Sequence, residues 1–246
     1  MPDDGLKTTD KRIALVTGAS SGIGAAVAKK LAEQRCHVLL LARTVSALEA
    51  VYDSISAQGG TATIMPADLS DLDSLDTLGP TIFERFGGLD VFVSNAGILG
   101  QLSPVGHIDP KEWRRVMDIN LNAQHRLIRT LDPLLQKAEA GRAVFISSGI
   151  GNSVFFPFWG GYAATKAALK ALVLTYANEN PEKPIKINVV RPGVIDTDLI
   201  KKAFPGGMPD HLKARLKKPD DVAEGIAGLC SPESTVHAEF VDLYEE

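Results

Sequence analysis

Short, unbroken apolar runs alternate along this chain with longer stretches of helical periodicity. RIALVT (12–17), HVLLLA (37–42), ATIMPAD (62–68), LDVFVSNAG (89–97), RAVFISS (142–148) and IKINVVRPG (185–193) are continuous rather than alternating. That pattern belongs to strands covered on both faces by helices. Between them, an alanine-rich stretch to about Arg35, VSALEAVYDSISAQ closed by Gly59-Gly60, EWRRVMDINLNAQHRLI and AATKAALKALVLTYA carry the period of a helix. Strand and helix in strict turn predict an α/β fold, a doubly wound parallel sheet of about seven strands with right-handed crossovers. No repeat, low-complexity tract or linker interrupts it, so one domain over residues 1–246 is expected, with residues 1–11 loosely packed or disordered.

In open parallel sheets, ligands gather beyond the carboxyl ends of the strands. The residues there are TGASSGIG, AR, AD, NAG, SSG and RPG. TGASSGIG (17–24) follows a strand and opens a helix. Gly18 allows a tight turn, Gly22 a close backbone approach, and Gly24 a close helix–strand contact. The free N–H groups of the new helix then make a pyrophosphate site, although the spacing is G-x-x-x-G-x-G and not G-x-G-x-x-G. Gly18–Gly22 also fits the G-x-S-x-G nucleophile elbow, with Ser20, Asp198 and His237 in hydrolase order. Only one strand precedes the turn, however, and no HGGG-type segment exists to build an oxyanion hole.

Charge and cysteine usage narrow the partners. A formal net charge of −4 argues against nucleic acid or an anionic membrane as the main partner. No apolar stretch approaches the ~18 residues of a membrane helix. Cys36 and Cys230 are isolated, and the five histidines form no ligand cluster, so neither a disulfide framework nor a metal site is expected. The polar start MPDDGLKTTDK is no secretory signal, which makes the cytoplasm the expected location.

One pair of residues needs a reason. Tyr162 and Lys166 lie four apart, on one helix face, within an otherwise apolar run. A phenol ordinarily titrates near ~10, and a nearby cation lowers that value. With TGASSGIG, Asp68, Asn95-Ala96-Gly97, Asn120, Ser148 and Arg191-Pro192-Gly193 in order, the chain resembles the short-chain dehydrogenase/reductase family over about residues 12–200. The resemblance implies that Tyr162 is the acid/base of a hydride transfer between NADP(H) and a carbonyl or alcohol. Lys166 would lower its pKa and hold the nicotinamide ribose. Ser148 would bind the substrate oxygen, with Ser147 as alternative because the serine–tyrosine spacing is one residue longer than usual. Asn120 would hold a relay water, with Asn122 nearby but out of register. The resemblance also implies that Gly18, Ser20, Ser21, Gly22, Ile23 and Gly24 hold the cofactor, with Asp68 at the adenine. Asn95, Ala96 and Gly97 would support the sheet beside it, and Pro192, Gly193 and Thr197 would meet the nicotinamide and phosphates. KKAFPGGMPDHLK, within about 197–218, has the composition of a mobile lid.

The second strand ends LLLART, with Ala42 where an NAD-selecting acid would stand and Arg43 after it, which predicts NADP(H). Phe155, Phe156, Phe158 and Trp159 could line an apolar, aromatic-tolerant substrate pocket, or could equally be core or subunit contacts. The helix AATKAALKALVLTYA is apolar nearly all round, which predicts a homodimer or homotetramer that buries it. The contrasting expectation is a catalytically silent dinucleotide sensor or scaffold of the same fold, since fold alone does not decide function.

Overall fold

A computed structural model describes residues 11–244; the expectation of loose packing for 1–11 thus falls almost wholly outside the described residues. Seven strands form one parallel sheet: β1 (Ile13–Thr17), β2 (His37–Ala42), β3 (Thr61–Pro66), β4 (Val91–Ser94), β5 (Arg142–Ile146), β6 (Lys186–Arg191) and β7 (Phe240–Asp242). Their order is β3-β2-β1-β4-β5-β6-β7, so the direction of winding reverses between β1 and β4. Ligands bind at such a reversal. The helices are α1 (Gly22–Glu33), α2 (Val45–Ala57), α3 (Leu72–Leu75), α4 (Leu78–Phe86), α5 (Pro110–Met117), α6 (Ala123–Lys137), α7 (Gly160–Asn178), α8 (Asp198–Ala203), α9 (Asp210–Lys213) and α10 (Pro219–Leu229).

The continuous apolar runs divide by parity. Ile13, Leu15, Leu39 and Leu41 enter one apolar layer with Leu127, Leu131, Leu169 and Val173, whereas Ala14, Val16, Val38 and Leu40 enter another with Val27, Leu31, Leu48 and Ile226. Alternate side chains of a strand point to opposite faces, so each run supplies both layers. This is why the strands are apolar on both faces, with polar residues such as Thr17, His37, Ser94 and Arg142 mostly at their ends.

Two departures from the sequence pattern bear on function. β7 is a three-residue strand, paired Val189↔Phe240 to Arg191↔Asp242, and is too short and too polar at its ends to read as an apolar run. The helix read through EWRRVMDINLNAQHRLI is not continuous: Asp118–Asn122 is a π-helical turn between α5 and α6. α5 itself begins as its sequence suggests, with Asp109 accepting from the backbone of Lys111 and Glu112 at 2.8 and 3.2 Å and Pro110 in the first turn. The expected stop of α2 is also found, since Gly59 sits at φ +75° and Gly60 N–H donates to Ile55 O.

Candidate active site

The turn after β1 is shaped by its glycines. Gly18 and Gly22 take φ of +64° and +54°, the left-handed region open chiefly to glycine. A Cβ on Gly24 would lie 2.3 Å from Gly18 O, so α1 approaches the turn as closely as its backbone permits. Asn95 braces the turn from β4: its amide donates to Thr17 O at 3.0 Å and Gly18 O at 3.3 Å. Thr17 Oγ1 in turn accepts from the backbone of Asn95 and Ala96. The bracing role of Thr17 had no signal in the sequence.

Gly18, Ser20, Ser21 and Ile23 open onto a cavity of about 1230 Å³. Gly22 and Gly24 shape the turn from behind it. The same cavity is lined by Arg43, Asp68, Asn95, Ala96, Gly97, Ser148, Tyr162, Lys166, Pro192, Gly193 and Thr197. It thus joins residues from six strand ends, and its volume exceeds that of a common single-ligand pocket. At the β2–β3 end, Arg43 Nη1 lies 3.9 Å from Asp68 Oδ2, both well exposed. Asp68 Oδ1 accepts from Ser70 N and Oγ, and these bonds and Arg43 hold the carboxyl below its ordinary range, the Ser70 backbone bond most of all.

At the other end stands the tyrosine. Tyr162 is buried; burial raises its phenol and the Ser148 hydroxyl pulls it part of the way back, leaving it at about 12. Lys166 is buried as well, and burial lowers it to about 8. Its Nζ donates to Ile146 O at 2.8 Å and lies 5.6 Å from the centre of the Tyr162 ring. Desolvation is the largest influence on the phenol here, and the Ser148 hydroxyl opposes it. The two serines differ in their surroundings. Ser147 is buried and spends its hydroxyl on Lys166 O at 3.2 Å, whereas Ser148 reaches the phenol.

Asn120 is fully buried in the π-helical turn, just behind the cavity wall. It pairs both ways with the backbone of Ile98, each bond 2.8 Å, and donates to Thr165 Oγ1 at 3.2 Å. A Cβ on Gly97 would meet Asn120 Oδ1 at 3.3 Å and Lys166 Nζ at 3.6 Å, so glycine lets these two groups share one space. Asn122 is exposed and bonds Asp118 instead.

The aromatic stretch splits. Trp159 is buried edge-to-face against Tyr162 at 5.8 Å, near Phe204 at 6.2 Å, within an apolar cluster that includes Leu99, Leu102, Ile150 and Leu199. Phe156 lines the cavity, but Phe155 and Phe158 are exposed and do not. The expected lid forms two short helices, α8 and α9, joined by residues 204–209. The hydrolase arrangement does not assemble: His237 bonds Ile187 near the start of β6, at the opposite end of the sheet from Ser20. Among the described residues no group of three His, Cys, Asp or Glu could hold a metal, and no helix is long and apolar enough to cross a membrane.

The family model described as short chain dehydrogenase matches residues 12–206. The chain belongs to the short-chain dehydrogenase/reductase family. It is 33% identical over 227 residues to cyclohexanol dehydrogenase of an Acinetobacter species, covering 92% of this chain and 90% of that one. An uncharacterized oxidoreductase of Escherichia coli is 35% identical, with 82% and 81% covered. Among solved structures, a short chain dehydrogenase of Escherichia coli CFT073 complexed with NADPH superposes with a TM-score of 0.87 at 32% identity, covering 95% of this chain and 97% of that one. A short chain dehydrogenase of Shigella flexneri complexed with NADP agrees as well, with the same TM-score, identity and coverage. As a member of this oxidoreductase family, the chain has the Rossmann-like sheet of its solved relatives.

Proposed function

We propose that this chain is an NADP(H)-dependent oxidoreductase that interconverts a carbonyl compound and its alcohol. The observation that carries the reading is Tyr162 and Ser148 interacting, with the Lys166 ammonium behind them, in a cavity that runs on to the glycine turn and Arg43. The fit to a dinucleotide rests on that turn, where a Cβ at Gly24 would collide with Gly18 O, and on Ala42-Arg43 at the end of β2. NADP and NADPH in two solved relatives support the choice of cofactor.

When bound, the nicotinamide supplies or accepts a hydride. The chain's own residues handle the oxygen and the proton. Ser148 donates to the carbonyl oxygen and sets it near the phenol. Tyr162, whose raised pKa keeps it protonated at neutral pH, gives its proton to the alkoxide as it forms. Lys166, mostly protonated at pH 7, stabilises the phenolate left behind and binds the ribose. Asn120 holds a water that returns the proton, and the Asp68 carboxylate takes the adenine. Two buried, unpaired cysteines suit the reducing cytoplasm. A second copy of the chain covers the outer face of α7.

Consumption of NADPH across a panel of aldehydes and ketones tests this reading. Tyr162→Phe is expected to lower turnover by at least ~10²-fold, the lower end for a lost general acid, while NADPH still binds. Retained turnover in that variant overturns the mechanism. Binding of NADPH by wild type without turnover of any carbonyl would instead make the chain a sensor.

A further inference from the structure

Lys202, His211 and Arg215 of the segment after β6 line the cavity, as does one acid of that segment, Asp198. Residues 201–218 hold six Lys and Arg against a single acid, Asp210, in a chain whose net charge is −4. Three of these six cations are already engaged. Lys201 pairs with Asp196, Lys213 with Asp210, and Lys217 donates to Leu243 O. Arg215 and Lys202 differ: both line the cavity, and among the described residues neither has a carboxylate partner.

Arg215 is also held in place. Its Nη1 donates to Tyr244 Oη at 2.9 Å and its guanidinium lies 5.5 Å from the centre of the Tyr244 ring. Tyr244 is itself fixed against the backbone, since a Cβ on Gly193 would stand 2.4 Å from Tyr244 Cδ2. Tyr244 N–H donates to Asp242 Oδ1, and Leu243 N–H to Arg191 O. One of the guanidinium's five N–H groups is thus used to pin it, and the remainder are left to bind an anion. Ordering the side chain in advance removes part of the cost of binding.

The position of this guanidinium is at the substrate end of the cavity. Arg191, whose guanidinium also lies 5.5 Å from the centre of the Tyr244 ring, donates to Ser153 Oγ at 3.1 Å, and its Cδ is 3.5 Å from where a Cβ of Gly149 would stand. Gly149 directly follows Ser148, and Ser153 stands five residues after it. The cofactor's 2′-phosphate, by contrast, is expected at Arg43, after β2 on the far side of the sheet's reversal. The apolar side chains of Leu99, Ile150, Trp159 and Phe204 line the same cavity and cluster with Tyr162.

We propose that Arg215, assisted by Lys202 and His211, forms an anion subsite, and that the substrate is a carbonyl compound with an apolar chain ending in a carboxylate. The proposal rests on the oxidoreductase reading above and names the substrate class for that site. Arg matches a carboxylate with two parallel hydrogen bonds, and the apolar side chains of the cavity take the chain.

A matched pair of probes tests it. 7-Oxooctanoate and 2-octanone share a methyl ketone and chain, and differ in a terminal carboxylate for a methyl. With NADPH, wild type is expected to favour 7-oxooctanoate at least tenfold in kcat/KM. Arg215→Leu should reduce that ratio at least tenfold and Lys202→Gln less, while the Kd for NADPH from fluorescence titration moves less than twofold. Tyr244→Phe, which keeps the ring and removes the pin, should reduce the ratio by an intermediate amount. Preference for 2-octanone, or an Arg215→Leu variant that loses both ketones equally, overturns the proposal; a large loss of NADPH affinity assigns Arg215 to the cofactor instead. Calorimetry of 7-oxooctanoate with the NADP-loaded protein separates this from failure of the underlying reading. Without any turnover, tighter binding of 7-oxooctanoate than 2-octanone that is lost in Arg215→Leu still supports the subsite, and equal binding rejects it.

Discussion

Lys166 shows how strongly a single buried charge is conditioned by its surroundings. Burial lowers its pKa to about 8, below the ordinary ~10.5, so the folded chain gives up its proton before the unfolded chain does. Between those two values the unfolded state binds more protons, and wild-type stability rises with pH across that window on this account. Below pH 8 the full cost of the buried ammonium is present, at most about 3 kcal/mol from the size of the shift. The bond to Ile146 O offsets about 1 kcal/mol of it. Lys166→Met should therefore stabilise the protein by about 1–3 kcal/mol at pH 7, with the gain fading between pH 8 and 10.5. Denaturant midpoints across that range check it, and a gain that grew with pH would contradict it. At Arg43 the prediction concerns the cofactor. The guanidinium is exposed and shares its surroundings with Asp68, so a phosphate would draw it away from a weak, 3.9 Å contact. Arg43→Ala should weaken NADPH binding at least tenfold, about 1.4 kcal/mol, and leave NADH binding nearly unchanged; equal losses would assign Arg43 no role in selectivity.

At the scale of elements, the junctions carry more function than the elements they join. The first turn works because α1 packs onto it with no side chain between: a methyl group at Gly24 would require Gly18 O or Asn95 to move, with contacts of 2.3 and 2.5 Å. Overpacking of this kind costs about 1–3 kcal/mol. Gly24→Ala is expected to lower the melting temperature by several degrees and NADPH affinity by more than tenfold, read by calorimetry and fluorescence titration. A variant with wild-type affinity would show that the turn does not hold the cofactor. The π-helical turn between α5 and α6 is the second such junction. The Asn120 amide there spends its bonds on Ile98 and Thr165, which ties the segment after β4 to α7. A regular helix through Asp118–Asn122 would rotate that amide away from one of these partners.

For the molecule as a whole, α7 joins the proposed site to a proposed interface. One face carries Tyr162, Lys166, Leu169 and Val173 into the chain, while Ala164, Ala167, Ala168, Ala171 and Leu172 remain partly or fully exposed. The apolar circumference read from the sequence is therefore only half covered within one chain. Small residues permit close approach of a second helix, and an apolar stripe of this kind marks an interface. Light scattering is expected to give a dimer or tetramer, and Ala168→Glu to shift it toward monomer with a loss of activity, because the same helix holds the catalytic pair. A wild-type monomer at working concentrations would contradict this.

Much of this was legible before any coordinates. Continuous apolar runs determine buried parallel strands because both faces must be covered, and glycines fix the first turn because their backbone freedom is local. Tyr162 and Lys166 share a helix face by spacing alone. What the chain could not disclose locally was decided by distant contacts. β7 exists because Val189–Arg191 offers an edge for Phe240–Asp242 to pair with, not because three residues prefer a strand. That Ser147 and not Ser148 gives its hydroxyl to Lys166 O depends on how α7 seats against the end of β5, and the pKa of Tyr162 depends on how completely the fold excludes water from it. Tyr244 lies 51 residues beyond Gly193 in sequence and against it in space. Periodicity and spacing report forces between near neighbours, whereas desolvation and the seating of one side chain on a remote backbone arise only when the sheet closes.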